Sequence, residues 1–511
     1  MSVQIFEAAR LEAQKRLDEA RPHKERNRLG QFATPPSLAR AIMEETARML
    51  PSRSKVRVLD PAFGTGAFYT ATLEALGQAR LEGVRGVEVD DEVVRVARSL
   101  WSHLPLELTH GDFSRLELPH FEAPRADLVV CNPPYVRHHH LSKEDKARLR
   151  QEVIDRTGVV LSGLSGFYAY FLLLADAWWA ADGLGVWLLP GEYLEVNYGR
   201  AVKRYLSTRT TIVRVHRFDP DDCQFDGVLV SSTVLWIRKS PPSARHKVRF
   251  TSGNDISAPE HDFRVPQRKL DPDEKWTRHF TQVEVVDDKV PRLGDLFTIR
   301  RGMATGANPF FILKRQEALE KGLPSECLTP VLPSPRHLKV DCVEGDADGH
   351  PVLDEPLVLV DCRQSPEVVE SKWPALWAYF EQGAAQGLPE RYLCSRREPW
   401  YTQERRDPPP LVCTYMGRSK DGKAFRFIRN RSQALATNAY LMLYPKGLLA
   451  VRLQEDPGWI DVVWEHLSQL DAASMLNQGR AYGGGLRKME PKELRQVPVP
   501  WFETQTEKKK G

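Results

Sequence analysis

Between Val56 and Cys131 the chain repeats one unit: a short apolar run, then a turn that opens on a carboxylate or an amide. Val56-Arg57-Val58-Leu59-Asp60 leads into Pro61-Ala62-Phe63-Gly64-Thr65-Gly66 and a helix over about residues 67–77. Residues 84–89 form a second run, ending Glu88-Val89-Asp90. Residues 106–113 form a third, ending Asp112-Phe113, and residues 127–131 a fourth, leading into Asn132-Pro133-Pro134-Tyr135. This pattern predicts an α/β domain built on an open sheet. In such a sheet the ligand crevice lies beyond the carboxyl ends of the strands, where all four polar groups fall. Any one of these acids alone reads as a surface carboxylate; four strand-end polar groups in register, three acids and an amide, read as a site.

The turn after the first strand has the composition of a ligand cradle. Its glycines permit positive φ and close backbone approach, and the helix that follows offers unpaired N–H groups. Asp60 is placed to face a ligand ammonium. Glu88 follows the glycine turn by about twenty residues, the spacing at which an acid accepts ribose hydroxyls. Asp112 and Phe113 together suit a purine: a carboxylate for an amino group and a ring to cover the face.

The Asn132-Pro133-Pro134-Tyr135 loop is the chemical end of the series. Two prolines fix two φ angles and remove two N–H donors, and each preceding residue is pushed out of the helical region. An amide oxygen, a fixed carbonyl and an aromatic face suit a planar molecule bearing an NH2 group.

At 511 residues the chain exceeds one ordinary core, so two or more domains are expected. The net charge of +4 is only a slight pointer to an anionic partner. Seven cysteines without CxxC pairs fit a reducing, cytoplasmic setting and neither a disulfide framework nor a zinc site. There is no apolar run of membrane-spanning length and no signal-like N-terminus. His138-His139-His140 do not converge on one face, so no metal is expected.

Residues 1–28 read as an amphipathic helical arm packed on the body, or equally as a frayed terminus. Thr34 is a candidate N-cap for a helix over residues 37–50. Ser142-Lys143-Glu144-Asp145 looks like a capping box. Residues 166–181 read as an apolar helix, followed by a strand at 186–190. Phe225, just ahead of another strand, is either core or a stacking platform. The composition changes near Ser240-Pro241-Pro242. The domains are therefore set at 29–240 and 241–511, the second α+β and of low regularity. Its densest basic stretch, with Arg418, Lys423, Arg426, Arg429 and Arg431 around Phe425 and Phe427, suits a phosphate backbone. Most of these arginines taken singly read as solvated strand faces.

Asn132-Pro133-Pro134-Tyr135, preceded by the turn at 60–66 and by Gly30-Gln31-Phe32-Ala33-Thr34-Pro35, resembles the γ-class, TaqI-type N6-adenine DNA methyltransferases. The resemblance covers about residues 25–240 and continues weakly at Tyr482-Gly483-Gly484-Gly485-Leu486-Arg487-Lys488-Met489. It implies a Rossmann-like domain, mostly parallel with a terminal antiparallel strand, followed by a target-recognition domain. It implies S-adenosylmethionine as cofactor, double-stranded DNA as substrate, a separate restriction endonuclease as partner, and a monomer. By resemblance, Thr34, Asp60, Pro61, Ala62, Gly64 and Gly66 hold the methionine end, Glu88 the ribose, and Asp112 with Phe113 the adenine. Asn132, Pro133, Pro134 and Tyr135 form the catalytic loop, and Phe225 is a second stacking ring. RNA amines and protein glutamine amides are the alternative targets of such a loop.

Overall fold

The computed structural model describes residues 3–22, 25–26, 30–52, 55–117, 124–136, 141–195, 197–219, 224, 232–280, 290–418, 425–470, 475, 480–481 and 486–502, excluding the side chains of 197, 418, 480 and 481. The chain forms two compact units, the first spanning Met1–Glu284 and the second beginning at Val285.

In the first unit the strands are β1 (Val56–Asp60), β2 (Leu81–Glu88), β3 (Leu106–His110), β4 (Ala126–Cys131), β5 (Trp179–Pro190), β6 (Thr211–Arg217), β7 (Ser232–Arg238), β8 (Lys247–Ser252) and β9 (His261–Pro266). They form one sheet in the order β3-β2-β1-β4-β5-β7-β6-β8-β9. β3, β2, β1, β4 and β5 are parallel, and β7 runs antiparallel to both β5 and β6. Two strands thus run against the rest, β7 inside the sheet and β9 at its rim, where it pairs antiparallel with β8. β4 is central: Leu128, Val129, Val130 and Cys131 are at most 1% exposed. Each such aliphatic side chain contributes roughly 1.5–3 kcal/mol on burial. Apolar residues fill both faces of the sheet, which is why its strands read as continuous apolar runs.

The helices that set the crevice are α1 (Val3–Ala20), α2 (Pro36–Met49), α3 (Ala67–Leu76) and α4 (Asp91–Trp101). Asp90 caps α4, accepting the N–H groups of Glu92 at 3.1 Å and Val93 at 3.2 Å. α4 buries Val94, Ala97 and Trp101, a spacing that makes one stripe. Trp101 Nε1 donates to Thr65 O at 2.9 Å and ties the helix to the turn after β1.

Several expectations shift. Thr34 caps no helix: Pro35 occupies the cap position of α2 and offers no side-chain bond. The apolar helix expected to reach residue 181 is α5 (Phe167–Leu174). A single 3-10 turn follows it, and β5 starts already at Trp179, so Asp182 at φ 59° lies within that strand. Most consequential, β8 and β9 lie beyond residue 240 but belong to the same sheet, β8 pairing in parallel with β6. The compositional change at Ser240 marks a loop between strands, and the first unit runs on to Glu284. Ser142 does cap the helix Lys143–Thr157, accepting the Asp145 N–H at 2.9 Å.

The second unit contains a five-stranded sheet that includes Phe297–Arg301, Leu411–Thr414, Phe427–Asn430 and Tyr440–Pro445. Two three-stranded sheets accompany it.

Candidate functional site

The carboxyl ends of β1, β2, β3 and β4 border a cavity of about 280 Å³. Asp60, at the end of β1, is 3% exposed and accepts the Ala62 N–H at 3.1 Å. Burial pushes its carboxyl up to about 7, with Glu88 adding repulsion and the Ala62 N–H opposing. Glu88, at the end of β2, takes the Gly64 N–H on one oxygen and the Asp90 N–H on the other, each at 2.9 Å. Burial raises this carboxyl too, against those two N–H donors. Asp112 follows β3 and accepts the Ser114 N–H at 2.9 Å. Phe113 beside it is 1% exposed, its ring 5.5 Å from that of Phe171 and 5.7 Å from that of Trp178. Pro61, Ala62 and Gly64 also line the cavity. Gly64 has φ +57°, and a Cβ there would meet nothing within 4 Å, so the turn leaves open space for a ligand.

Asn132 follows β4 directly, at the cavity wall. Its Nδ2 donates to Phe32 O at 3.0 Å and to Thr34 Oγ1 at 3.1 Å. These two acceptors use both amide hydrogens and fix which way the amide faces. Oδ1 is buried and has no partner among the described residues. An unpaired buried acceptor carries a desolvation cost of about 1–3 kcal/mol, which a donor from a ligand would remove. Thr34 therefore lines the cavity and also orients Asn132.

Two expected roles change, those of Tyr135 and Gly66. Tyr135 is 8% exposed and sits in the hydrophobic core, outside the cavity lining. Its hydroxyl donates to Leu188 O at 3.1 Å, and its ring packs against Phe32 at 6.1 Å. Core burial plus a satisfied hydroxyl hold the ring inward, so it presents no open face to a base. Pro134 lines the cavity, whereas Pro133 is buried beside it. Gly66 does not line the cavity either; at φ +96° its Cβ position lies 2.7 Å from Trp101 Nε1, so this glycine serves helix packing. Phe225 and His138-His139-His140 lie outside the described residues.

The cavity also has walls that the motifs did not announce. α1 lines it with Arg10 and Gln14, Arg21 follows just past that helix, and Phe167 and Phe171 of α5 line it too. Thr65 Oγ1 donates to Gln14 Oε1 at 2.8 Å, and Arg21 pairs with Asp90. That pairing holds Asp90 well below the usual carboxylate range, at about 2. The available signal was the four-residue spacing of Arg10 and Gln14, which puts two polar side chains on one helical face.

In the second unit the described arginines of the basic stretch are all paired within the chain. Arg426 Nε donates to Asp341 at 2.8 Å, and its Nη atoms bond the carbonyls of Leu338 and Val340. Arg429 donates to Asp461 at 2.7 Å and to the carbonyls of Pro410 and Asn430. Arg431 bridges Glu344 and Asp461. Phe425 and Phe427 are core. Guanidinium groups occupied by acids and carbonyls do not present a phosphate-binding face. Arg426 and Arg429 are thus held in the unit's own structure, whereas Arg431 is 42% exposed and keeps an accessible guanidinium. The Arg418 side chain and Lys423 lie outside the described residues.

Residues 20–281 match the family model of the N-6 DNA methylases, and residues 273–510 that of the C-terminal domain of Type II methyltransferase M.Eco57I. The first match spans more than half of the chain, which belongs to the N-6 DNA methylase family. Its cofactor is S-adenosylmethionine. The chain is 26% identical over 502 residues to Type II methyltransferase M.XamI of Xanthomonas campestris pv. amaranthicola, covering 93% of this chain and 86% of that protein. It is 24% identical to Type II methyltransferase M.AccI of Acinetobacter calcoaceticus, covering 92% and 85%. Among solved structures, the Type IIL restriction-modification enzyme MmeI in complex with DNA superposes with a TM-score of 0.54 at 13% identity. That match covers 90% of this chain and 62% of MmeI, a likeness of fold.

Proposed function

We propose that the protein methylates the exocyclic N6 of adenine within a specific double-stranded DNA sequence, as the modification partner of a separate restriction endonuclease. The observation that carries this reading is the unpaired, buried Oδ1 of Asn132, locked as an acceptor by Phe32 and Thr34. The cavity fits the cofactor on its own terms: three strand-end carboxylates and an open glycine turn face one volume.

When bound, S-adenosylmethionine supplies a methyl on a positively charged sulfur, already a strong electrophile. Asp60 would hold its ammonium, Glu88 its ribose, and Asp112 with Phe113 its adenine. The chain's task at the target is to make a poor nucleophile better. The N6 lone pair of adenine is delocalised into the ring. Asn132 Oδ1 accepts one N6 hydrogen and the Pro133 carbonyl the other, which favours a pyramidal nitrogen with a localised lone pair. Both contacts tighten as positive charge grows on N6, so they stabilise the transition state more than the ground state. The base must leave the duplex stack to reach this loop. Phe225 is the proposed ring for its face. The family match of the first unit supports DNA over RNA or a glutamine amide, because that family is the N-6 DNA methylases.

The test is incubation with labelled methyl donor and plasmid DNA, followed by nucleoside analysis and site mapping. Label in N6-methyladenosine of DNA is expected. Label confined to cytosine, RNA or protein overturns the reading.

A further inference from the structure

Among the described residues, each cationic side chain on the cofactor cavity comes from the N-terminal arm: Arg10, Arg21 and Arg26. The remaining charged groups on its wall are carboxylates. The methionine end of the cofactor carries a carboxylate next to its ammonium, on the same carbon. If Asp60 takes the ammonium, a counter-charge for the carboxylate must lie close to the turn after β1.

The three arginines are not equivalent. Arg21 is committed to Asp90 and Glu92 at the far end of β2, and Arg26 pairs with Asp18. Arg10 alone of the three is bonded to the turn itself, its Nη1 3.2 Å from Thr65 Oγ1. It is 1% exposed. Glu7 grips the other edge of the guanidinium, at 2.8 Å on Nε and 2.6 Å on Nη2. This fork fixes the plane of the group and turns the Nη1 edge toward Thr65. Nη1 carries two hydrogens, of which Thr65 accepts one.

We propose that Arg10 recognises the carboxylate of S-adenosylmethionine, so that α1 is a working wall of the cofactor site. The Glu7 fork positions the guanidinium, and Gln14 braces Thr65 from the same helix face. The inference rests on S-adenosylmethionine as the cofactor.

Calorimetric titration with S-adenosylmethionine and with its decarboxylated analogue separates recognition from scaffolding. The wild-type protein should prefer the intact compound. Arg10→Gln should weaken the intact compound about tenfold or more and leave the analogue's affinity within about twofold, erasing the preference. Equal weakening of both, or no weakening of the intact compound, overturns the proposal and leaves Arg10 a strut. If Arg10→Gln does not fold, as judged by thermal unfolding, Arg10→Lys takes its place. A point charge without the fork should keep part of the preference, and an unchanged preference again overturns the idea. Failure of the wild-type protein to bind either compound would instead indict the cofactor assignment.

Discussion

Asn132 Nδ2 stands 3.1 Å from Thr34 Oγ1 and 3.0 Å from the Phe32 carbonyl, so a segment ahead of the sheet decides which atom this amide shows to the cavity. Asn132→Ala should bind cofactor within about threefold of wild type and lose methyl transfer by about 10²–10³-fold, the scale for one transition-state hydrogen bond. Thr34→Val should slow single-turnover transfer about tenfold at saturating cofactor, because the amide loses one of two anchors. Thr34→Ser should restore the rate. Full activity in Asn132→Ala would remove the loop from the chemistry.

Asp60 sets a pH dependence. With its carboxyl at about 7 in the folded protein, it is largely protonated below that pH and cannot pair with an ammonium. Cofactor affinity should therefore fall as pH drops from 8 toward 6, approaching tenfold per unit at the acid end, with proton release visible in buffers of different ionisation enthalpy. Stability moves the other way. A carboxyl raised on folding binds more protons in the native state than in the unfolded one between about 4 and 7. Its contribution to stability is therefore lost as pH rises through that window. Asp60→Asn should abolish cofactor binding, yet stabilise the protein at pH 8 by up to about 4 kcal/mol relative to its effect at pH 4. A pH-independent affinity would show that Asp60 does not hold the ammonium.

What was legible in the sequence was what local periodicity determines. The four strands that lead to Asp60, Glu88, Asp112 and Asn132 announce themselves because both the apolar run and the polar stop are encoded within a few residues. Thr34 was misread as a helix cap because its partner, Asn132, is 98 residues away. The arm's part in the cavity was hidden for the same reason: Arg10 reaches Thr65 across 55 residues. Composition cannot distinguish a solvated arginine from one that saturates carbonyls, and Arg426 finds Asp341 across 85 residues. Tyr135 shows the limit of a motif, which specifies a ring but not the side of the backbone on which the core will bury it.

Arg429 follows from that lesson. Its side chain is 13% exposed and joins Asp461 to two backbone carbonyls. Arg429→Gln should lower the stability of the second unit by about 2–4 kcal/mol, since Asp461 and the carbonyls lose a shared cationic donor. The measurement is thermal and denaturant unfolding alongside DNA binding over a salt series. The salt slope should stay unchanged under conditions where the variant is folded. A slope reduced by about one, with stability intact, would return this arginine to the DNA interface.

Gly30 offers a test of how tightly the Asn132–Tyr135 loop is held. Its φ is +67°, and a Cβ there would stand 2.5 Å from Tyr135 N. The same Tyr135 N–H donates to Gly30 O at 3.2 Å, so the two segments touch backbone to backbone. Gly30→Ala must push the Asn132–Tyr135 loop away or break that bond. Gly77 is the natural control: its φ is +75°, but a Cβ would meet nothing within 4 Å. Gly77→Ala should cost about 1–2 kcal/mol of stability through backbone strain alone and leave the rate of transfer unchanged. Gly30→Ala should carry a similar strain and in addition slow single-turnover transfer about a hundredfold, the effect of displacing reacting groups by about 1 Å. Equal rates in the two variants would show that the loop tolerates displacement and that Asn132 is placed by β4 alone.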